Sequence, residues 1–118
     1  MAVFVVEDDK AVRESLALCL RQMDLQPVAY ETAEDFLREQ SPHVGDTVLV
    51  DIGLPGMSGA ELIRSLQQGA DTPRIVIVSG KSQKVLDREL SWFENAELLR
   101  KPFAADSLAS IFPDFELH

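Results

Sequence analysis

Four polar residues lie at or just after the ends of separate apolar runs in the sequence: Asp8, Asp51, Ser79 and Lys101. Asp51 closes the run 47–51 and is followed directly by the Gly- and Pro-containing segment 53–59. This pattern is typical of a strand that runs into a tight loop, which places one carboxylate at the edge of a sheet. The combination of carboxylates, a hydroxyl and an amine predicts phosphoryl chemistry on an aspartate.

Glu7, Asp8 and Asp51 would crowd negative charge into one small crevice if their strand ends meet. Such crowding is unfavourable in a partly buried site unless a cation lies among the carboxylates. Oxygen ligands with room for water and phosphate suit Mg²⁺, and no His or Cys falls at these strand ends to favour zinc. Asp51 is then placed to attack a phosphoryl group and form an aspartyl phosphate. Lys101 would neutralise oxygens of the transferring group, and the hydroxyl of Ser79 could hydrogen-bond one of them.

Apolar runs and segments of helical periodicity alternate five times along the chain. The strands are expected at 3–6, 27–30, 47–51, 74–78 and 97–100, and the helices at 11–23, 33–40, 58–66, 82–93 and about 105–112. Thr32 is an N-cap candidate, and Ser58 with Glu61 has the spacing of a capping box. Arg13 is expected on the wet face of the first helix.

Strict strand–helix alternation predicts an α/β fold, a doubly wound five-stranded parallel sheet covered by helices on both faces. Right-handed crossovers place the carboxyl end of every strand along one edge of the sheet. For a strand order of 2-1-3-4-5 the ligand crevice lies between the first and third strands, so Asp8 and Asp51 would face each other there.

The chain has 118 residues, of which 46% are hydrophobic and 26% charged, which is typical of one soluble globular domain. Its net charge of −9 would repel a phosphate backbone, so direct nucleic-acid binding is not expected. No apolar stretch approaches the roughly 20 residues that span a bilayer, and the first residues lack the features of a signal peptide, so a cytoplasmic protein without membrane contact is expected. Cys19 is the one cysteine, which excludes an intrachain disulfide.

The set of motifs resembles the receiver domain of a two-component response regulator, over essentially all of the chain. The resemblance rests on four motifs in the family's order and at about its spacing: Glu7-Asp8, Asp51 with the segment 54–59, Ser79-Gly80 and Lys101-Pro102-Phe103. It implies one receiver domain over 1–118 with a flavodoxin-like (CheY-like) three-layer sandwich. The residues themselves predict a short last helix at about 105–112 and a loosely held tail at 113–118.

For the chemistry, the resemblance implies that Asp51 accepts a phosphoryl group from a phosphohistidine on a histidine kinase or a phosphotransfer protein. Ser79 and Lys101 would sense that group. Mg²⁺ would be bound by Asp8 directly, by Asp51, by Glu7 through water and by the backbone carbonyl of Gly53. The chain would then not be an enzyme beyond phosphorylating itself from phosphodonors and dephosphorylating itself at Asp51.

Two departures from the family pattern bear on the output. Leu98 occupies the position where the family usually has an aromatic switch residue, and Pro113 keeps the last helix short. The chain also ends a few residues after that helix, whereas the family usually joins the receiver to an output domain. We therefore expect either a receiver that acts alone on a downstream protein partner or one taken from a longer regulator.

Three alternatives remain. A receiver-like interaction module that signals without phosphate is favoured if Leu98 and the short last helix mean that the switch has decayed. A small phosphatase working through an aspartyl phosphate usually has a second Asp two residues after the nucleophile, where this chain has Gly53. A nucleotide-binding flavodoxin-like protein is less favoured still, because no Gly-rich phosphate loop follows the first strand.

Overall fold

Five strands and five helices alternate along the chain, as the sequence predicts. The structure is a computed structural model that describes residues 1–94 and 96–112. In chain order the elements are β1 (Val3–Val6), α1 (Lys10–Gln22), β2 (Pro27–Tyr30), α2 (Ala33–Glu39), β3 (Thr47–Asp51), α3 (Gly59–Gln67), β4 (Arg74–Ser79), α4 (Gln83–Glu89), β5 (Glu97–Arg100) and α5 (Ala105–Ile111). None of the helices within these described ranges is long and apolar enough to cross a membrane.

The strands form one parallel sheet in the order β2-β1-β3-β4-β5, which confirms the predicted topology. The register aligns the carboxyl ends of the three central strands. Val6 pairs with Val50, and Asp51 pairs with Val78. Glu7 directly follows Val6, so Glu7 and Asp51 lie next to each other where β1 and β3 end.

Successive strand residues face opposite sides of the sheet, and this alternation divides the interior into two cores. One core contains Phe4 and Val6 with buried residues of α2, α3 and α4. The other contains Val5, Leu49 and Leu99 with buried residues of α1 and α5. Two residues further along each chain segment come Glu7, Asp51 and Lys101, so the alternation directs all three toward the α1 and α5 side.

Two helix starts that the sequence predicts are confirmed. The hydroxyl of Thr32 accepts the N–H of Asp35 at 3.0 Å. The hydroxyl of Ser58 accepts the N–H of Glu61 at 3.1 Å, and the Glu61 carboxylate accepts the N–H of Ser58 at 3.3 Å. Each cap satisfies backbone donors that a helix leaves without intrahelical partners.

The fourth helix is shorter than predicted, because α4 ends at Glu89 and not at Phe93. The indole N–H of Trp92 donates to the carbonyl of Glu89 at 3.0 Å, and the chain turns at Leu90, whose carbonyl accepts the N–H of Phe93 at 2.9 Å. The guanidinium of Arg64 on α3 lies 4.3 Å from the centre of the Trp92 ring. The turn thus packs Trp92 and Phe93, both half-buried, against the first core.

The last helix ends at Ile111, within one residue of the expected end. The predicted loosely held tail, 113–118, lies outside the described residues.

Leu49 tests whether the central strand depends on burial in this core. Leu49 is fully buried, whereas Leu18 on α1 is 55% exposed. We expect Leu49→Ala to lower the free energy of unfolding by about 2 to 5 kcal/mol, because it removes buried methyl groups and leaves a cavity. Leu18→Ala, the same chemical change, should stay within about 0.5 kcal/mol. Urea denaturation of both variants checks this, and equal losses would contradict the packing described here.

Candidate functional site

Three carboxylates meet at the carboxyl edge of the sheet. Glu7, Asp8 and Asp51 each offer an oxygen, and these oxygens all lie within 4.8 Å of one another. Glu7 and Asp51 are buried, whereas Asp8 is exposed at the mouth of the crevice. The structure therefore brings together the three acidic residues that the sequence predicts to share one crevice.

Lys101 places a positive charge against this acidic cluster. Its Nζ lies 2.6 Å from Oε1 of Glu7 and 3.4 Å from Oδ2 of Asp51. The Lys101 side chain is 22% exposed and that of Glu7 1%, so the contact between them is largely shielded from solvent. The Lys101–Pro102 peptide bond is cis.

The crowded carboxylates have opposite pKa shifts. Burial and the hydrogen bond with Asp51 raise the pKa of Glu7, Lys101 only partly opposes them, and the net pKa is about 7. For Asp51 burial acts in the same upward direction, but hydrogen bonds from Glu7 and from the backbone of Gly53, with the charge of Lys101, outweigh it and lower the pKa. In the metal-free crevice Glu7 therefore holds a proton up to about neutral pH while Asp51 remains ionised.

The pKa of Lys101 is raised. Its partial burial favours the neutral amine, but the hydrogen bond and charge of Glu7 and the charge of Asp51 outweigh that effect. The ammonium form is therefore the stable one in this crevice.

The cluster as a whole is suited to a cation. Oε1 of Glu7 is buried, and the ammonium of Lys101 lies 2.6 Å from it. Three carboxylates beside this ammonium still crowd negative charge into a partly buried site, which is costly. A hard cation such as Mg²⁺ prefers carboxylate oxygens and would neutralise the remaining charge, so the donor set fits this ion.

Gly53, in the turn after β3, and Ser79, at the end of the neighbouring strand β4, flank the cluster. The N–H of Gly53 donates to Oδ1 of Asp51 at 3.1 Å. Ser79 is buried at the end of β4, and its hydroxyl oxygen accepts the N–H of Lys81 at 3.0 Å. The hydroxyl proton of Ser79 is thus available to a further acceptor in the crevice.

Two residues that hold the site loops were not identified from the sequence. Oε2 of Glu34 on α2 accepts the N–H of Met57 at 3.1 Å, in the loop that follows Asp51. A Cβ at Gly56 would lie 2.6 Å from that same oxygen, and Gly56 has a positive φ of 67°, so both contact and conformation favour glycine there. Helical spacing does not reveal a contact between a helix side chain and a distant loop.

Arg13 is the second residue, and its contacts with the loop before α1 were not predicted from its expected place on the wet face of that helix. Arg13 is half-buried, and its Nη1 donates to the carbonyl of Glu7 at 2.8 Å and to that of Asp8 at 3.3 Å. Its position in the first turn of α1 places it near the preceding loop, but a fully exposed arginine could occupy the same position in the sequence.

Leu98 is half-buried at the wall of a cavity of about 530 Å³ between α4 and strands β4 and β5. The cavity wall also includes Ile77, Leu86, Leu90 and Phe93. Leu98 therefore borders open space next to α4.

The fold and site together define a doubly wound α/β protein with an acidic crevice between β1 and β3 and a lysine against its carboxylates. The chain belongs to the response regulator receiver domain family, whose model matches residues 3–112. The resemblance drawn from the motifs is thereby confirmed, and the chain is a receiver domain of the two-component signalling class.

Curated relatives and a solved structure agree with this assignment. The chain is 32% identical to the transcriptional regulatory protein FixJ of Azorhizobium caulinodans over 103 residues, covering 87% of this chain and 49% of that protein. It is 31% identical to the KDP operon transcriptional regulatory protein KdpE of Escherichia coli over 107 residues, covering 90% of this chain and 47% of that protein. The chain therefore spans about half the length of these relatives. A CheY-like response regulator receiver domain from Methylobacillus flagellatus superposes with a TM-score of 0.82 at 28% identity, covering 98% of each chain.

Glu7 makes the stability of the metal-free protein depend on pH. Because its pKa is raised from 4.5 to about 7, the folded chain binds this proton more tightly than the unfolded chain. The stabilisation that this proton contributes is fully present below about pH 4.5 and is lost as the pH rises through about 7. In chelator-treated wild type we expect the free energy of unfolding to fall by about 1 to 3 kcal/mol across this window.

Glu7→Gln, which cannot ionise, should lack this step, whereas Glu14→Gln on the exposed side of α1 should keep it. Urea denaturation at several pH values measures the step. A wild-type profile parallel to that of Glu7→Gln would contradict the assignment of the proton to Glu7.

Proposed function

We propose that this chain is a phosphorylation-controlled receiver that acts in the cytoplasm. Asp51 accepts a phosphoryl group from a phosphohistidine on a histidine kinase or phosphotransfer protein, and the reaction depends on Mg²⁺. One observation carries the proposal: Asp51 has a lowered pKa in a buried crevice where Glu7, Asp8 and Lys101 converge on it. A nucleophilic carboxylate must be ionised, and the surrounding charges must be able to neutralise a phosphoryl group.

The residues that would hold Mg²⁺ are Asp8, Asp51, Glu7 through water and the backbone carbonyl of Gly53. When bound, the ion supplies positive charge that offsets the oxygens of the phosphoryl group during transfer. The support for this ligand set is the convergence of the three acidic side chains, which one lysine does not fully neutralise.

The transfer itself is a displacement at phosphorus by an Asp51 carboxylate oxygen. The new P–O bond forms as the P–N bond to the donor imidazole breaks, and the imidazole nitrogen keeps the electron pair and takes a proton from solvent. Lys101, which pairs with Glu7 in the resting crevice, moves its ammonium to the phosphoryl oxygens. The hydroxyl of Ser79 donates a hydrogen bond to another of those oxygens.

The response is carried from Ser79 toward α4. Lys81 donates its N–H to the Ser79 hydroxyl, and its ammonium lies 3.2 Å from the carboxylate of Glu89 at the end of α4. A shift of Ser79 toward a phosphoryl group would therefore also move Lys81, which forms an ion pair with Glu89 on α4. Phosphorylation shifts the population between two arrangements of this face and so changes partner binding. The partner is a separate protein or an attached output domain.

Asp51→Asn tests the acceptor role directly. After incubation with Mg²⁺ and acetyl phosphate, we expect the intact mass of the wild type to rise by one phosphoryl group and that of Asp51→Asn to stay unchanged, since the amide is not a nucleophile at phosphorus. Chelation of Mg²⁺ should abolish the wild-type gain. Mass spectrometry of the intact chain measures both effects.

Asp71→Asn is a matched control, because it makes the same chemical change in an exposed loop remote from the site. It should be phosphorylated like the wild type. A folded wild type that gains no mass would refute the acceptor role and leave the phosphate-independent interaction module as the better account.

A further inference from the structure

Arg13 contacts the backbone of the acidic cluster and not its carboxylates. One nitrogen of its guanidinium, Nη1, donates to the carbonyls of Glu7 and Asp8 at 2.8 and 3.3 Å. We propose that Arg13 is a positioning residue that holds this pair so that their side chains converge with Asp51. The inference rests on the proposed function, in which this cluster binds Mg²⁺.

Glu7 and Asp8, the residues that Arg13 contacts, lie between the end of β1 and the start of α1. The N–H of Glu7 donates to the carbonyl of Tyr30 on β2 at 3.0 Å, which hydrogen-bonds the start of this segment to the sheet. The carboxylate of Asp9 accepts the N–H of Val12 at 3.1 Å and begins α1. Between these two hydrogen bonds, Arg13 donates to the carbonyls of Glu7 and Asp8, and the N–H of Asp9 donates to Oε2 of Glu7 at 3.2 Å. Arg13 therefore fixes the part of the backbone that carries two of the three carboxylates.

Charge alone predicts the opposite effect of Arg13 on a metal site. A cation close to a Mg²⁺ site repels the ion, so its removal should strengthen Mg²⁺ binding. A residue that orients the ligands acts the other way, since loss of such outer contacts typically weakens metal affinity about 10- to 100-fold. The sign of the change in affinity thus separates positioning from a simple charge effect.

The test is a Mg²⁺ titration of the full chain followed by backbone amide NMR. We expect Arg13→Met, which retains much of the side-chain length but cannot donate, to bind Mg²⁺ about 10-fold more weakly than wild type. Arg13→Lys, which retains a donor and the charge, should recover part of the loss. The matched control is Arg21→Met on the exposed end of α1, which removes the same charge and should bind at least as tightly as wild type. Equal or tighter binding by Arg13→Met would overturn the proposal.

Hydrogen exchange of the chelator-treated protein gives a readout that needs no metal. We expect Arg13→Met to speed amide exchange in residues 7–10 while leaving the central strand β3 unchanged. If Arg13→Met does not fold, Arg13→Lys is compared with wild type, and unchanged exchange and affinity would overturn the proposal. A wild type that fails to bind Mg²⁺ would refute the proposed function. In that case unaltered exchange in Arg13→Met would also refute the positioning role, and faster exchange would support it.

Discussion

Charge crowding at one edge of the sheet is the constraint on which this structure depends. Glu7 and Asp51 are both buried at neighbouring strand ends, and a single ammonium, that of Lys101, lies against both. Two buried carboxylates beside one lysine cannot both ionise freely, so the crevice retains a proton on Glu7 or takes up a cation. The crowded negative charge at this edge favours a cation among the carboxylates.

The sheet makes this crowding possible through its two-residue alternation. Val5, Leu49 and Leu99 anchor three strands in the same core, and the next residues in those rows are the two carboxylates and the lysine. The apolar rows therefore provide the rigidity that keeps like charges close together. The buried core and the charged site at the edge are thus formed by the same strands.

The strands and their order were predictable because buried β-branched runs and strict alternation admit few topologies. The end of α4 was not, since it depends on the Trp92 indole reaching the carbonyl of Glu89, a contact that helical periodicity does not encode. For the same reason the meeting of the acidic residues could be predicted from strand ends, whereas the contacts of Arg13 and Glu34 could not. A side chain that hydrogen-bonds the backbone of a loop leaves no periodic signature in the sequence.

Trp92 is the one tryptophan of the chain, and its position gives the protein an intrinsic optical probe. Its indole N–H donates a hydrogen bond to the carbonyl of Glu89, the last residue of α4, and the guanidinium of Arg64 on α3 lies over its ring. Indole emission responds to nearby charge and to hydrogen bonding. Any rearrangement that separates α4 from α3 would therefore change the fluorescence of the unlabelled protein, so the motion of this face can be followed in real time without an added dye.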